Sequence, residues 1–325
     1  MRVSDSDRQV TSSISQRLPK ALFVIGATSS GKTELGVHLA KKFDGEIINA
    51  DARQVYARVN IGTGKPIGAR GTYRRHGAFL YKEIPHYLMD FLPPQETYSA
   101  PEWRASAMKA IEGISKRKHL PIVVGGTGLY ISSIIDHLSF PNIGPQQGLR
   151  DAYDKKDLGE LVRLLQAIDP DAIPMVDVKN KRRVIRALEI STFSGQRFSE
   201  LRKKGDPLVD ALQIGIDRSL SELADRANQT IEDMVARGLV EEVRMLLKQG
   251  ISPNAPAMTA LGYRDFAKYL DGEITLHQAV EQLKKQTRAY IRRQRTWFKR
   301  DKRIVWVKDE KEAEKVVKAW LKRVE

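Results

Sequence analysis

The stretch Ala21-Leu22-Phe23-Val24-Ile25-Gly26-Ala27-Thr28-Ser29-Ser30-Gly31-Lys32-Thr33 decides the fold. Five apolar residues read as a buried strand, Gly26 to Thr33 match G-x-x-x-x-G-K-T in full, and Thr33 to Lys42 carries a helical pattern. In that context the loop turns its amide N–H groups inward around an anion, at a helix N-terminus whose dipole favours negative charge. Lys32 adds a cation, and Thr33 a hydroxyl able to ligate a metal. Gly26, Ala27, Thr28, Ser29, Ser30, Gly31, Lys32 and Thr33 are therefore the expected seat of a di- or triphosphate. The loop leaves open which ester binds, and whether the phosphate is transferred or departs.

Outward from the loop, strand-like runs at Glu46–Ala50, Tyr87–Asp90 and Leu120–Val124 alternate with helical patterns such as Glu102–Lys118. This is the rhythm of a parallel sheet flanked by helices. Beyond Pro141 the texture changes to charged helices broken at Pro145, Pro170, Pro174 and Pro207, before Ala211–Ile216 returns to the sheet. The predicted fold is α/β: a phosphate-loop core over 19–139 and 209–325, a mainly helical insertion over 140–208 and a helical C-terminal part. Residues 1–18 are polar, Ser-rich and without the apolar core of a signal peptide, so a disordered tail is expected there.

The 325 residues contain no cysteine, which excludes a disulfide framework and a thiolate metal site, and no apolar run reaches the ~20 residues of a membrane span. The six histidines show no metal-ligand spacing. A monomer in the cytoplasm, away from membranes, is expected. The net charge of +15 is concentrated. Lys179–Lys204 holds nine bases against two acids and Gln278–Arg303 ten against two, leaving 36 bases and 36 acids elsewhere. Arg182, Arg183 and Arg186 fall on one helical segment, with Val184, Ile185 and Leu188 available for its packed side; Arg288, Arg292, Arg295 and Lys299 fall at helical spacing on another, with Tyr290 and Trp297 among residues available for packing. Such faces track a polyanion such as RNA, although two solvated helices would carry the same pattern.

Two further segments hold candidate chemistry. Asp51 ends the run Ile47-Ile48-Asn49-Ala50, where ligands of open α/β sheets bind, so its carboxylate should face the crevice that Lys32 faces; a turn or capping aspartate is the alternative. Gln54, three residues on, could bond a base edge. Gly125-Gly126-Thr127-Gly128 follows another strand; it could admit a substrate to the backbone, with Thr127 orienting a reacting group, or be a plain glycine turn.

In order along the chain, GATSSGKT, NADARQVY, IGTGKP, VVGGTGLY, NKRRVIRALE, LGYRDF and RRQRTWF resemble the motifs of the bacterial tRNA dimethylallyltransferases, also called tRNA isopentenyltransferases, over residues 20–303. The resemblance implies transfer of a dimethylallyl group from dimethylallyl diphosphate to N6 of the adenine next to the anticodon of tRNA, with Mg²⁺. It implies diphosphate binding by residues 26–33, Thr33 on the metal, Asp51 as general base and Thr127 in support. Contacts to tRNA fall on Asp51, Ala52, Arg53, Gln54, Thr127, Arg150, Arg182 to Arg186, and Met258 to Arg264, including Gly262, Tyr263 and Arg264. Arg218 is the nearest candidate for a phosphate-binding arginine after the late strand. The chain departs from the family's GPTASGKT at Ala27 and Ser29, and from its DSxQ at Ala52, which removes a hydroxyl beside the base. A small-molecule or nucleotide kinase would use Lys32 and Asp51 equally well but leave both basic segments idle. An NTP-switched RNA-binding protein lacks a second nucleotide-specificity motif here.

Overall fold

A computed structural model describes residues 18–74, 76–141, 143–201 and 203–323. The expected tail at 1–18 lies, apart from Leu18, outside the described residues. Eight strands form one sheet: β1 (Lys20–Ile25), β2 (Gly45–Asn49), β3 (Ala69–Tyr73), β4 (His76–Tyr81), β5 (Ile84–Tyr87), β6 (Leu120–Gly125), β7 (Asp210–Ile216) and β8 (Ile304–Val307), in the order β3-β4-β5-β2-β6-β1-β7-β8. The pairings from β5 through β8 are parallel, whereas β3–β4 and β4–β5 are antiparallel. The antiparallel edge was not legible as strand, because Ala69–Tyr73 is exposed and carries no apolar alternation.

Period-two alternation explains the core. From β1, Ala21, Phe23 and Ile25 enter one layer with Ile48, Val123 and Trp103, while Leu22 and Val24 enter the other with Ile47, Ile122 and Leu39. The first layer is closed by α2 (Ala100–Lys116) and α3 (Gly128–Ile135), the second by α1 (Lys32–Lys42) and, from the chain's end, α12 (Glu310–Leu321). The start of α2 is set by a capping box between Ser99 and Glu102. Its buried Trp103 stacks on Tyr130 of α3 and donates through Nε1 to the Asn49 carbonyl, 2.9 Å away. That contact ties both helices to the end of β2.

Between β6 and β7 run α4 (Gln147–Asp154), α5 (Leu158–Ile168), α6 (Lys181–Ser194) and the short α7 (Phe198–Leu201), which gather around their own core of Leu161, Leu165, Val184 and Leu188. A further helical body follows β7: α8 (Leu220–Ala236), α9 (Leu239–Lys248), α10 (Tyr263–Leu270) and α11 (Leu276–Lys299). It packs on Val55, Tyr56 and Val59, just past Asp51. One expected element moved. Tyr87–Asp90 is not a strand beyond its first residue, because Leu88 and Asp90 take positive φ of 57° each, and Phe91 and Leu92 instead bond the Val55 carbonyl. The strand lies at Ile84–Tyr87.

Candidate active site

The parallel strands β1, β2, β6 and β7 deliver their carboxyl ends to one edge, and each end carries a candidate residue. The phosphate loop leaves β1 and reaches α1 through Gly31, whose φ of 93° opens a conformation that a side chain would strain. No side chain caps the start of α1, so its first N–H groups remain available to an anion. Two arginines brace the loop from outside: Arg218 Nε donates to the Ser30 carbonyl at 3.0 Å and Arg226 Nε to the Ser29 carbonyl at 2.9 Å. Lys32 Nζ reaches the Ala27 carbonyl at 3.3 Å. Enclosure of that ammonium pushes its pKa below the usual lysine range, with the Asp51 carboxylate acting in the opposite direction.

Asp51 is fixed by its neighbours. Its Oδ1 accepts from the Arg53 N–H at 2.9 Å, and its own N–H donates to Asn49 Oδ1 at 3.1 Å. Asn49 Nδ2 donates in turn to the carbonyls of Asp51 and Leu88. The turn reading of Asp51 is therefore present in the structure, and it serves to hold the carboxylate at the crevice: Lys32, Thr33, Asn49, Asp51 and Gln54 line one narrow hollow of about 10 Å³. Gln54 is oriented by donating through Nε2 to the Thr63 and Gly64 carbonyls. Thr127 precedes α3 yet does not cap it. Its Oγ1 accepts from the Ala52 N–H at 2.9 Å and its N–H donates to the Ala50 carbonyl at 3.1 Å, which stitches the glycine turn to the Asp51 segment. Arg53 points away, to Thr259 Oγ1 at 2.6 Å and the Pro256 carbonyl.

On the other side of Thr127 opens a cavity of about 990 Å³, bounded by the glycine turn, by Arg150, Arg183 and Arg186 of the insertion, and by Tyr290, Arg293, Gln294 and Trp297 of α11. Gln294 joins the two glycine-rich loops: Oε1 accepts from the Thr28 N–H and Nε2 donates to the Gly126 carbonyl, both at 2.9 Å. A Cβ on Gly126 would strike that amide, which is why glycine is needed there. Tyr290 lies close enough to Asp51 that burial, and then the carboxylate, raise its phenol above the usual range.

The match to known proteins follows this geometry. The family described as isopentenyl transferase matches residues 19–76, and the one described as IPP transferase matches residues 54–301. A tRNA dimethylallyltransferase of Thermomicrobium roseum is 40% identical over 287 residues, 87% of this chain and 84% of that protein. The chain belongs to the tRNA dimethylallyltransferase family. A member from Pelotomaculum thermopropionicum is 39% identical over 89% of this chain and 90% of its own. Among solved structures, the tRNA isopentenylpyrophosphate transferase of Bacillus halodurans superposes with a TM-score of 0.67 at 31% identity, covering 93% of this chain and 97% of that one. A eukaryotic dimethylallyltransferase acting on tRNA superposes at 0.70 with 26% identity, covering 92% and 77%.

Several residues implied by the tRNA dimethylallyltransferase resemblance are placed differently from an RNA-facing role. Val184 and Ile185 are buried in the insertion core, and Tyr263 is fully buried with its hydroxyl on Glu242 Oε1 at 2.5 Å, so the side chains of all three pack inward. Gly262 starts α10 against Leu283, and Arg264 Nε donates to the Pro253 carbonyl. Arg150 and Arg186 converge on Glu189, a side chain with no exposure, at 2.8 and 2.5 Å. Arg182 and Arg183 are exposed, Arg183 facing Asp177 at 3.5 Å. On α11, Arg292 is exposed, Arg288 donates to Asn228, and Arg295 lies with Arg218 in a small hollow behind the phosphate loop. Tyr290, expected to pack, faces the cavity instead. It forms with Arg293, Gln294 and Trp297 an i, i+3, i+4, i+7 stripe whose spacing could have been read from the sequence. Arg226 was missed as well, and nothing in its local pattern distinguishes it from a surface arginine of α8.

Proposed function

We propose that this chain transfers a dimethylallyl group from dimethylallyl diphosphate to N6 of the adenine adjacent to the anticodon of tRNA, releasing diphosphate. The observation that carries the reading is the junction at Thr127. The phosphate loop and the Asp51 carboxylate share one crevice, and the glycine turn that borders it at Gly125 lines, through Gly126 to Gly128, a cavity of about 990 Å³ that arginines of the insertion and α11 also line. The cavity gives room for a nucleotide swung out of its stack, as chemistry on a base requires.

The diphosphate would be held by the uncapped amides of α1, by Lys32, and by the loop that Arg218 and Arg226 brace. As the donor's C1–O bond breaks, its electron pair goes to the departing diphosphate, whose growing charge those amides and Lys32 stabilise. The N6 lone pair forms the new bond to C1, and the N6 proton passes to Asp51, because the ring-delocalised amine is otherwise a poor nucleophile. Thr127 positions this base through the Ala52 N–H. The donor set suits Mg²⁺, which binds through few protein oxygens while keeping substrate phosphates and water as ligands: the Thr33 hydroxyl lines the crevice, and no cluster of three acidic or histidine side chains competes among the described residues. When bound, Mg²⁺ would offset charge on the leaving diphosphate.

Incubation with unmodified tRNA and either carbon-labelled dimethylallyl diphosphate or γ-labelled ATP tests the reading. The prenyl label should enter tRNA, while label moved from ATP to an acceptor would establish a kinase instead.

A further inference from the structure

The hollow that holds Asp51 is lined by a polar side chain whose outer ring nitrogen has no partner among the described residues, and the mechanism does not use it. His86 lies on β5 beside Ile47 of β2 and lines the hollow together with Lys32, Thr33 and Asp51, yet it is only 2% exposed. Its Nδ1 sits 3.0 Å from the Ile84 carbonyl oxygen, which can only accept, so Nδ1 carries the ring proton and Nε2 presents a bare lone pair. Burial pushes the imidazole down to about 4, against the backbone bond to Ile84, and the ring is neutral near physiological pH. Nε2 is enclosed and meets no hydrogen-bond partner among the described residues. An enclosed acceptor without a donor is destabilising, so one beside a ligand site points to a donor that arrives with the ligand.

The choice of donor is narrow. A fully ionised diphosphate offers only acceptors, and Lys32 Nζ is directed at the Ala27 carbonyl. The hollow, at about 10 Å³, has room for one water-sized species. The ring is also braced against the helix start that carries Thr33: its edge meets Tyr81 with 6.1 Å between centroids, and the Tyr81 hydroxyl donates to Glu34 in the first turn of α1 at 2.7 Å. A divalent cation held by Thr33 and a diphosphate keeps several water ligands, each a polarised donor.

We infer that His86 is a positioning residue of the donor site, its Nε2 accepting a hydrogen bond from a water of the hydrated magnesium diphosphate and so fixing that complex against the phosphate loop. The inference rests on the proposed function for the presence of a metal diphosphate, and it adds a neutral acceptor behind the loop that orients the complex without transferring a proton.

Two variants separate the contact from a merely structural role. His86→Asn keeps an N–H near the Nδ1 position and deletes the acceptor, whereas His86→Gln restores an oxygen near Nε2. The full chain is titrated with Mn²⁺ in the presence of inorganic diphosphate, free Mn²⁺ being read by electron paramagnetic resonance. His86→Asn should weaken Mn²⁺ binding by ~10-fold, as removal of an outer partner typically does, with His86→Gln recovering most of it and diphosphate affinity without metal unchanged in both. A folded His86→Asn with the affinity of the unaltered protein, or a folded His86→Gln no better than His86→Asn, overturns the inference. Should both variants fail to fold, the unaltered protein decides by ¹⁵N resonance of the imidazole. The His86 Nε2 signal should move upfield when Mg²⁺ and diphosphate are added together, and a stationary signal overturns the assignment. Absence of any diphosphate binding by the unaltered protein would bring down the proposed function along with it, whereas an unperturbed His86→Asn removes this inference alone.

Discussion

Asp51 shows how a residue that closes a turn can also present its carboxylate at the crevice. One carboxylate oxygen closes the turn onto the Arg53 N–H, and the segment is held again at Asn49 and Ala52. Asp51→Asn preserves an oxygen for the turn and removes the proton acceptor. The variant should fold and bind tRNA normally while the rate of transfer falls by ~10²-fold or more, measured in single turnover; a full rate would remove Asp51 from the role of base. Lys32 makes the opposite trade. Its folded pKa lies below the ordinary 10.5 because burial disfavours the charge. The unliganded fold therefore carries a penalty throughout the pH range below that lowered value, and the penalty disappears as pH rises through it toward 10.5. Lys32→Met should raise the melting temperature of the unliganded protein at pH ~7, flatten its dependence on pH between the lowered value and 10.5, and cost ~10²-fold in turnover. A variant less stable than the parent at pH ~7 would show that the lysine is a structural asset.

At the scale of elements, the insertion is tied together by charge as well as by its core. Burial would raise the Glu189 carboxyl, but hydrogen bonds from Arg150 and Arg186, and from the Gln146 N–H, outweigh it and hold the carboxyl below its ordinary 4.5. The stabilisation is thus complete above pH 4.5 and is lost as pH falls through the lowered folded value. Hydrogen exchange should show α4 and α6 losing protection on acidification before the sheet does. Glu189→Gln should produce the same loosening at neutral pH, at about 2 kcal/mol, less than the ~3–5 kcal/mol of a fully buried pair because both arginines retain solvent exposure. Equal protection in parent and variant would leave the insertion held by Leu161, Val184 and Leu188 alone. For the same reason Arg150 and Arg186 are poor tests of RNA binding, since their removal would strip a buried acid of its partners.

For the whole molecule the question is where the excess charge meets its partner. The two basic segments belong largely to the insertion and to α11, and residues of both line the large cavity. If tRNA lies between them, neutralising Arg182 with Arg183, or Arg292 with Arg293, should weaken its binding. The slope of log K against log [salt] should fall by roughly 0.7 to 0.9 for each RNA phosphate that the variant leaves without its arginine. Binding of dimethylallyl diphosphate without RNA should be unchanged. A salt titration in which neither pair alters the slope would leave these charges as solvated helix faces.

By itself the sequence determined what is local and periodic. The loop from Gly26 to Thr33 is set by spacing and by the strand and helix on either side. Asp51 and Thr127 were placed at an active edge because the carboxyl ends of parallel strands must share one, and the family was legible in seven ordered motifs. Only the tertiary structure decided which charged and polar side chains meet at the phosphate loop and its crevice. Arg226 on the phosphate loop, Gln294 between the two glycine-rich loops and His86 behind Thr33 come from segments distant along the chain. Val184, Ile185 and Tyr263 went inward although they sit within motifs attributed to RNA binding. The reason is physical: a side chain's neighbours along the chain set its helix or strand, but its solvation, its pKa and its partners are set by whatever the fold packs against it.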